Sequence, residues 1–171
     1  MKELGIGTPQ PIAYYENSSR LLFKRSFYLS KQLGYDLTYR ELIHEPNFSN
    51  HETILRAFTR FTFKLHENDI LFLDHSPGNT LIVKNKMDYE FYLVDLNRMN
   101  FGALDFKTRI KNFARLSATE AMIAIMSDEY AKCSGEDYEN ILRLMLFYSK
   151  EFQSRFQRKI RLKKKLKFWK K

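Results

Sequence analysis

Asp74 and Asn79 stand five positions apart in LDHSPGNTLIV (73–83), and Asp95 follows the apolar run YLV further on. Phosphoryl transfer from a nucleoside triphosphate uses such a set. One carboxylate orients the acceptor hydroxyl and takes up its proton, while an amide and a second carboxylate hold the divalent cation that bridges the phosphates. Spacing alone is a weak signal, because Asp95 and Asn100 have the same separation. A polar surface turn, with Asp95 capping a strand end, accounts for the same residues without any chemistry.

The surrounding elements favour a built site. Ser49-Asn50-His51-Glu52 is a capping-box pattern that opens a helix. Ile54, Phe58, Phe61 and Leu65 fall on its apolar face, and Arg56, Arg60 and Lys64 mark a solvated one. Pro77-Gly78 make a tight loop. TLIVK (80–84) and MDYEFYLVDL (87–96) read as strands paired across Asn85-Lys86. Such a helix, loop and hairpin present Asp74, Asn79 and Asp95 at one mouth. His75, beside Asp74, reads as a bystander.

Upstream, TPQPIAYYE (8–16) and LLFKRSFYLS (21–30) read as strands, and LTYRELI (37–43) as a short helix stopped near Pro46. Beyond 105 the pattern predicts helices over 106–132 and 136–165, broken at Ser134-Gly135. Ile141, Met145, Tyr148, Phe152 and Phe156 step along the second. The order is α+β, with the helical mass in the second half.

A chain of 171 residues holds one domain with a real core, and 44% apolar content argues for a folded one. Cys133 has no partner for an internal disulfide and reads as a half-buried helix residue. No apolar run suggests a secretory signal or a membrane span, so a cytoplasmic placement is expected. The net charge of +9 is concentrated. After Glu151 ten basic residues run from Arg155 to Lys171 without an acid, which leaves 29 − 10 = 19 basic against 20 acidic residues elsewhere. The body is therefore not a nucleic-acid binder, and no nucleic acid is expected as a partner. Ile160, Leu162, Leu166, Phe168 and Trp169 interleave with the tail's charge, which suits an anionic membrane surface. A solvated helix end explains the same composition. RNA stacking is a third reading.

The segment LHENDILFLDHSPGNTLIVKNKMDYEFYLVDLNRMNFG (65–102) resembles the catalytic segment of the lipopolysaccharide kinases, and more narrowly the Kdo (3-deoxy-D-manno-octulosonic acid) kinase family of the protein-kinase-like fold. GIGTPQPIAYYE, RSFYLSKQLGYDLTYREL, IKNFARL and the Lys-rich end extend the resemblance over nearly the whole chain. It implies a helical C-terminal lobe (35–151) preceded by the last N-lobe strands and an adenine linker (1–34) and followed by a basic amphipathic tail (152–171). It implies ATP as donor, Mg²⁺ as cofactor and a lipid A-linked sugar hydroxyl as acceptor, at the inner face of the inner membrane. Asp74 would be the catalytic Asp, Asn79 a metal ligand and Asp95 the principal Mg²⁺ ligand. Backbone groups around Gln32 and Leu33 would touch adenine.

The sequence departs from that family in two respects. Phe72 stands where a His-x-Asp histidine is expected, and Leu96-Asn97 follow Asp95 in place of Phe-Gly. Gly5-Ile6-Gly7 is not a phosphate flap, and the resemblance places Lys24 beside the adenine linker, away from the phosphate-pairing position. By resemblance those parts precede Met1, so the chain alone is expected to be weakly active or inactive. Two rival readings stand beside the kinase. One is a non-catalytic kinase-fold remnant or membrane-surface interaction module. The other is a small-molecule kinase for another sugar or an antibiotic.

Overall fold

The computed structural model describes residues 1–19, 22–86 and 88–168. Strands β1 (Pro11–Ser19) and β2 (Leu22–Ser30) form an antiparallel ribbon. Tyr14 lies opposite Tyr28 and Tyr15 opposite Phe27, and all four side chains are exposed. The chain then passes through β3 (Leu37–Thr38) into α1 (Tyr39–His44). Here a capping box forms: the Thr38 hydroxyl accepts from the Arg40 N–H, and the Glu41 carboxylate accepts from the Thr38 N–H at 2.7 Å.

The long helix α2 (His51–Glu67) leads into β4 (Ile70–Phe72), β5 (Thr80–Lys84), β6 (Tyr89–Leu93) and β7 (Met99–Phe101). The pairings between these strands are antiparallel: β3-β5-β6 make one small sheet and β4-β7 another, and Gly7 adds an isolated parallel bridge to Tyr92 on β6. Helix α3 (Phe106–Lys111), a 3₁₀ turn (Asn112–Leu116), α4 (Glu120–Ser134) and α5 (Tyr138–Phe168) complete the helical mass. Phe58, Leu42, Ile54, Ile82, Ile110 and Met126 belong to the main core. A smaller cluster of Ile6, Leu65, Ile70, Phe72 and Leu93 lies under the loop that carries Asp74.

Several sequence expectations change. Ser49 does not cap α2. Asn50 takes the N-cap position at φ +61°, without the extended backbone a capping box needs, and Glu52 pairs with Arg56 instead. The Arg56 and Arg60 face is a seam between helices: Arg56 bonds Asp128 and Glu129, and Arg60 bonds Glu129, all on α4. The second hairpin strand is shorter than expected, Tyr89–Leu93: Lys84 pairs with Tyr89, the Asn85 N–H donates to the Asp88 carbonyl at 2.8 Å, and Met87 lies outside the described residues. The helix expected over 106–132 is divided. Ser117 turns left-handed at φ +55°, and Thr119 opens α4 by accepting from the Met122 N–H. Gly135 ends α4 at φ +74°, as its position suggested.

Residues 152–168 continue α5 without interruption. The side chains at 153–165 are exposed, while Trp169, Lys170 and Lys171 lie outside the described residues. Cys133 is half-buried on α4. Among the described residues no helix is long and apolar enough to cross a membrane.

Candidate active site

Strand β4 delivers the chain into the loop 73–79, and the loop closes on itself. The Asp74 carbonyl accepts from the Ser76 N–H at 2.7 Å and from the Asn79 side-chain amide at 2.9 Å. The Asn79 N–H donates to the Ser76 carbonyl at 3.0 Å. With its amide nitrogen committed, Asn79 keeps its side-chain oxygen as an acceptor. The Asn79 carbonyl in turn accepts from the Val94 N–H at 3.0 Å, which fixes Asp95 one residue from that link. Asp95 itself sits at φ +59°, a left-handed conformation that costs a non-glycine residue about 1 kcal/mol and recurs at functional sites.

The Asp74 carboxylate lies between two arginines. Arg115 Nη2 is 3.1 Å from Oδ1, and Arg98 Nη1 is 3.8 Å from Oδ2. Arg115 also donates through Nη1 to the Leu73 carbonyl at 3.0 Å, and its guanidinium lies 5.6 Å over the Phe152 ring. A third arginine crowds the loop from α1. A Cβ at Gly78 would meet the Arg40 guanidinium at 2.9 Å, so only glycine leaves Arg40 in place.

Behind the loop lies a buried polar chain. Asn112 donates through Nδ2 to the Phe72 carbonyl at 2.9 Å, so its Oδ1 faces His66 Nε2 at 3.1 Å as the acceptor. His66 therefore carries its proton on Nε2, and Nδ1 accepts from the Tyr130 hydroxyl at 3.0 Å. Burial pulls the His66 pKa down to about 4, which keeps the ring neutral, and burial raises that of Tyr130.

His75 is a core side chain. Its ring centroid lies 5.3 Å from that of Phe58 and 5.9 Å from that of Phe72. Neither ring nitrogen has a hydrogen-bond partner among the described residues, and burial pushes its pKa down to about 3. Phe72, two residues before Asp74, is fully buried in the small cluster under the loop.

Among the described residues no three His, Cys, Asp or Glu side chains converge as a metal cluster. The donors on offer are the Asn79 side-chain oxygen and the Asp95 carboxylate. That set fits Mg²⁺, which commonly takes one or two carboxylates and completes its shell with phosphate oxygens and water. Gln32 is exposed and Leu33 half-buried on the irregular connection after β2. Its ends are tied by Lys31 N–H to the Gln10 carbonyl and Asp36 N–H to the Ile82 carbonyl. A cavity of about 910 Å³ lies elsewhere, between the 5–11 segment, α2 and β6. Asp74, Asn79 and Asp95 do not line it.

The sequence reading did not single out Asn112, Arg98 or Arg115. A signal existed in Asn-Phe-Ala-Arg, whose polar ends are three residues apart, but it means something only once the segment is a 3₁₀ turn, where such positions eclipse.

No family profile and no curated protein matches the chain. Among solved structures it is similar to "WaaP in complex with acyl carrier protein", with a TM-score of 0.69 and 17% identity over 90% of this chain and 71% of that one. At that identity the likeness shows the fold: α+β and kinase-like, with small sheets beside a helical lobe. It does not single out the Kdo branch.

Proposed function

We propose that the chain carries the phosphotransfer centre of an ATP- and Mg²⁺-dependent kinase of lipopolysaccharide assembly, acting on a hydroxyl of a lipid A-linked sugar. The observation that supports this best is the closed loop. Asn79 is bonded to the Asp74 carbonyl at 2.9 Å and its own carbonyl to Val94, so one hydrogen-bonded unit links Asp74, Asn79 and Asp95. Asp74 orients the acceptor hydroxyl and accepts its proton. Asn79 and Asp95 hold Mg²⁺, whose chemistry when bound is to neutralise charge on the phosphates. Backbone groups at Gln32 and Leu33 contact adenine. Kdo is the specific acceptor sugar the sequence resemblance favours.

The composition of the end of α5 supports an anionic surface as the setting of this centre. Arg155, Arg158, Lys159 and Arg161 share the exposed helix with Phe156, Ile160 and Leu162. We assign it to the inner face of the inner membrane, with basic side chains at the headgroups. The WaaP structure contains an acyl carrier protein. A carrier protein of that kind is a second candidate occupant of the same basic helix.

The test is transfer from radiolabelled ATP with Mg²⁺ to a Kdo–lipid A acceptor, to free sugars and to aminoglycosides in parallel. Slow transfer to the lipid-linked acceptor, lost in Asp74→Ala, is expected. Transfer only to a free sugar or an aminoglycoside would favour a small-molecule kinase.

The second reading is a non-catalytic kinase-fold module that binds a partner. Where it is described, the β1–β2 ribbon exposes aromatic side chains on both faces, Tyr14 and Tyr28 on one and Tyr15 and Phe27 on the other, which suits an interaction surface. Mg²⁺-dependent ADP binding that weakens about tenfold in Asp95→Ala argues for the kinase. Nucleotide binding indifferent to Mg²⁺ and to Asp95 argues for the non-catalytic module.

A further inference from the structure

Three consecutive residues, the last of β4 and the first two of the loop, are gripped by one turn of helix. Asn112 holds the Phe72 carbonyl at 2.9 Å, Arg115 Nη1 holds the Leu73 carbonyl at 3.0 Å, and Arg115 Nη2 holds the Asp74 carboxylate at 3.1 Å. Both side chains come from the 3₁₀ turn Asn112–Leu116. In a 3₁₀ helix positions i and i+3 eclipse, so Asn112 and Arg115 project from one edge in line. An α-helix would set them about 60° apart around the axis, at roughly 100° per residue.

We propose that the Asn112–Arg115 pair is a positioning clamp for Asp74, which sets the direction in which its other carboxylate oxygen, Oδ2, meets the acceptor hydroxyl. The inference rests on the phosphotransfer reading of Asp74. A planar guanidinium is suited to this task. Its two donors leave in fixed directions, so fixing one on a backbone carbonyl fixes the other on the carboxylate. Phe152 under the guanidinium holds its plane, and His66 with Tyr130 holds Asn112. Arg98, at 3.8 Å from Oδ2 and largely exposed, lies at the open side. The clamp has a cost, because Arg115 Nε is buried with no hydrogen-bond partner among the described residues. Buried donors are normally satisfied, so a turn that tolerates this one is held for another purpose.

The experiment compares Arg115→Lys, Arg115→Ala and Asn112→Ala with the unsubstituted chain. Lysine keeps the charge but cannot hold Leu73 and Asp74 together. Amide exchange over 73–79 is expected to rise about tenfold in each variant while exchange in α2 stays unchanged. Asp74-dependent transfer to the Kdo–lipid A acceptor is expected to fall about tenfold or more in kcat, with the KM for ATP within about twofold. Ethylguanidinium added to Arg115→Ala is expected to restore part of the rate, and to do nothing for Asp74→Ala. Unchanged exchange over 73–79 overturns the clamp. So does an unsubstituted rate in Arg115→Lys beside a loss in Asp74→Ala, or a loss seen entirely in KM. A transfer rate indifferent to Asp74→Ala overturns the phosphotransfer reading, and the proposed role with it; the exchange arm then reports only on loop rigidity.

Discussion

His66 Nε2 donates to Asn112 Oδ1 at 3.1 Å, and this bond fixes both the histidine tautomer and the direction of the Asn112 amide. Tyr130 supplies the matching donor to Nδ1, so every polar atom of the imidazole is used only while the ring is neutral. Burial is the main reason its pKa falls to about 4, with Arg109 reinforcing it and Asn112 and Glu67 opposing it. In the unfolded chain the same ring takes up its proton near pH 6.5. Between pH 6.5 and 4 the unfolded state thus binds more protons than the folded one. Stability is full above that window and falls through it as pH drops, by about 3 kcal/mol over the whole range. Urea unfolding at pH 7.5 and at pH 4.5 checks this, and His66→Gln should reduce the difference, leaving the part that His75 contributes.

His75 makes the opposite prediction for a substitution. It is enclosed by Phe58, Phe72 and Phe113, and its two nitrogens have no hydrogen-bond partner among the described residues. Replacing an unsatisfied buried polar group by an apolar one of similar volume removes a desolvation cost of about 1–3 kcal/mol. His75→Leu is expected to raise the thermal midpoint and to reduce the acid sensitivity, since burial holds the His75 pKa near 3. A drop in midpoint would mean that the ring nitrogens have partners in solution, such as a buried water.

What the sequence made legible was local. The loop, the hairpin strands, the apolar stripe of α2 and the Gly135 stop follow from residue type and short-range spacing. What it hid depends on distant partners. Arg56 and Arg60 have the pattern of a solvated face, and nothing near them announces Asp128 and Glu129 some seventy positions away. Ser49 has the residue type of a cap, but the start of α2 is set by the left-handed Asn50 beside it. The segment 106–132 has continuous helical composition, and its division turns on one residue, Ser117, at φ +55°. Arg115 lies in a segment that resembles a family, yet its contacts with Leu73 and Asp74 appear only when the 3₁₀ turn faces the end of β4.

The α2–α4 seam gives a stability prediction. Arg56 is partly exposed and serves Glu52, Asp128 and Glu129 together. Networks of this kind outweigh isolated surface pairs, and partial exposure keeps the expected loss in Arg56→Ala to about 1 kcal/mol. Glu129 is nearly buried and would retain only Arg60. Arg56→Ala should therefore cost more than Lys132→Ala, whose partner Asp128 is more open to solvent. Denaturant midpoints at low and at high salt check this, and the gap between the two variants should persist when salt is raised.

The exposed end of α5 gives the last prediction. Glu151 is the final acidic residue and is paired with Arg155, so from Arg158 onward no acid on the helix offsets the positive charge. Phe156, Ile160 and Leu162 are exposed on the same stretch, where a helix otherwise so polar has no core to bury them. Charge draws such a segment to anionic headgroups, and the apolar side chains then enter the interface. The chain should co-sediment with vesicles containing phosphatidylglycerol and not with purely zwitterionic ones, and raised salt should release it. Arg158→Glu with Lys159→Glu should weaken binding while leaving the thermal midpoint unchanged, because both side chains are exposed. Ile160→Ser should leave the salt dependence intact but weaken the binding that remains at high salt. Equal binding to both kinds of vesicle would remove the electrostatic basis for placing this helix at a membrane.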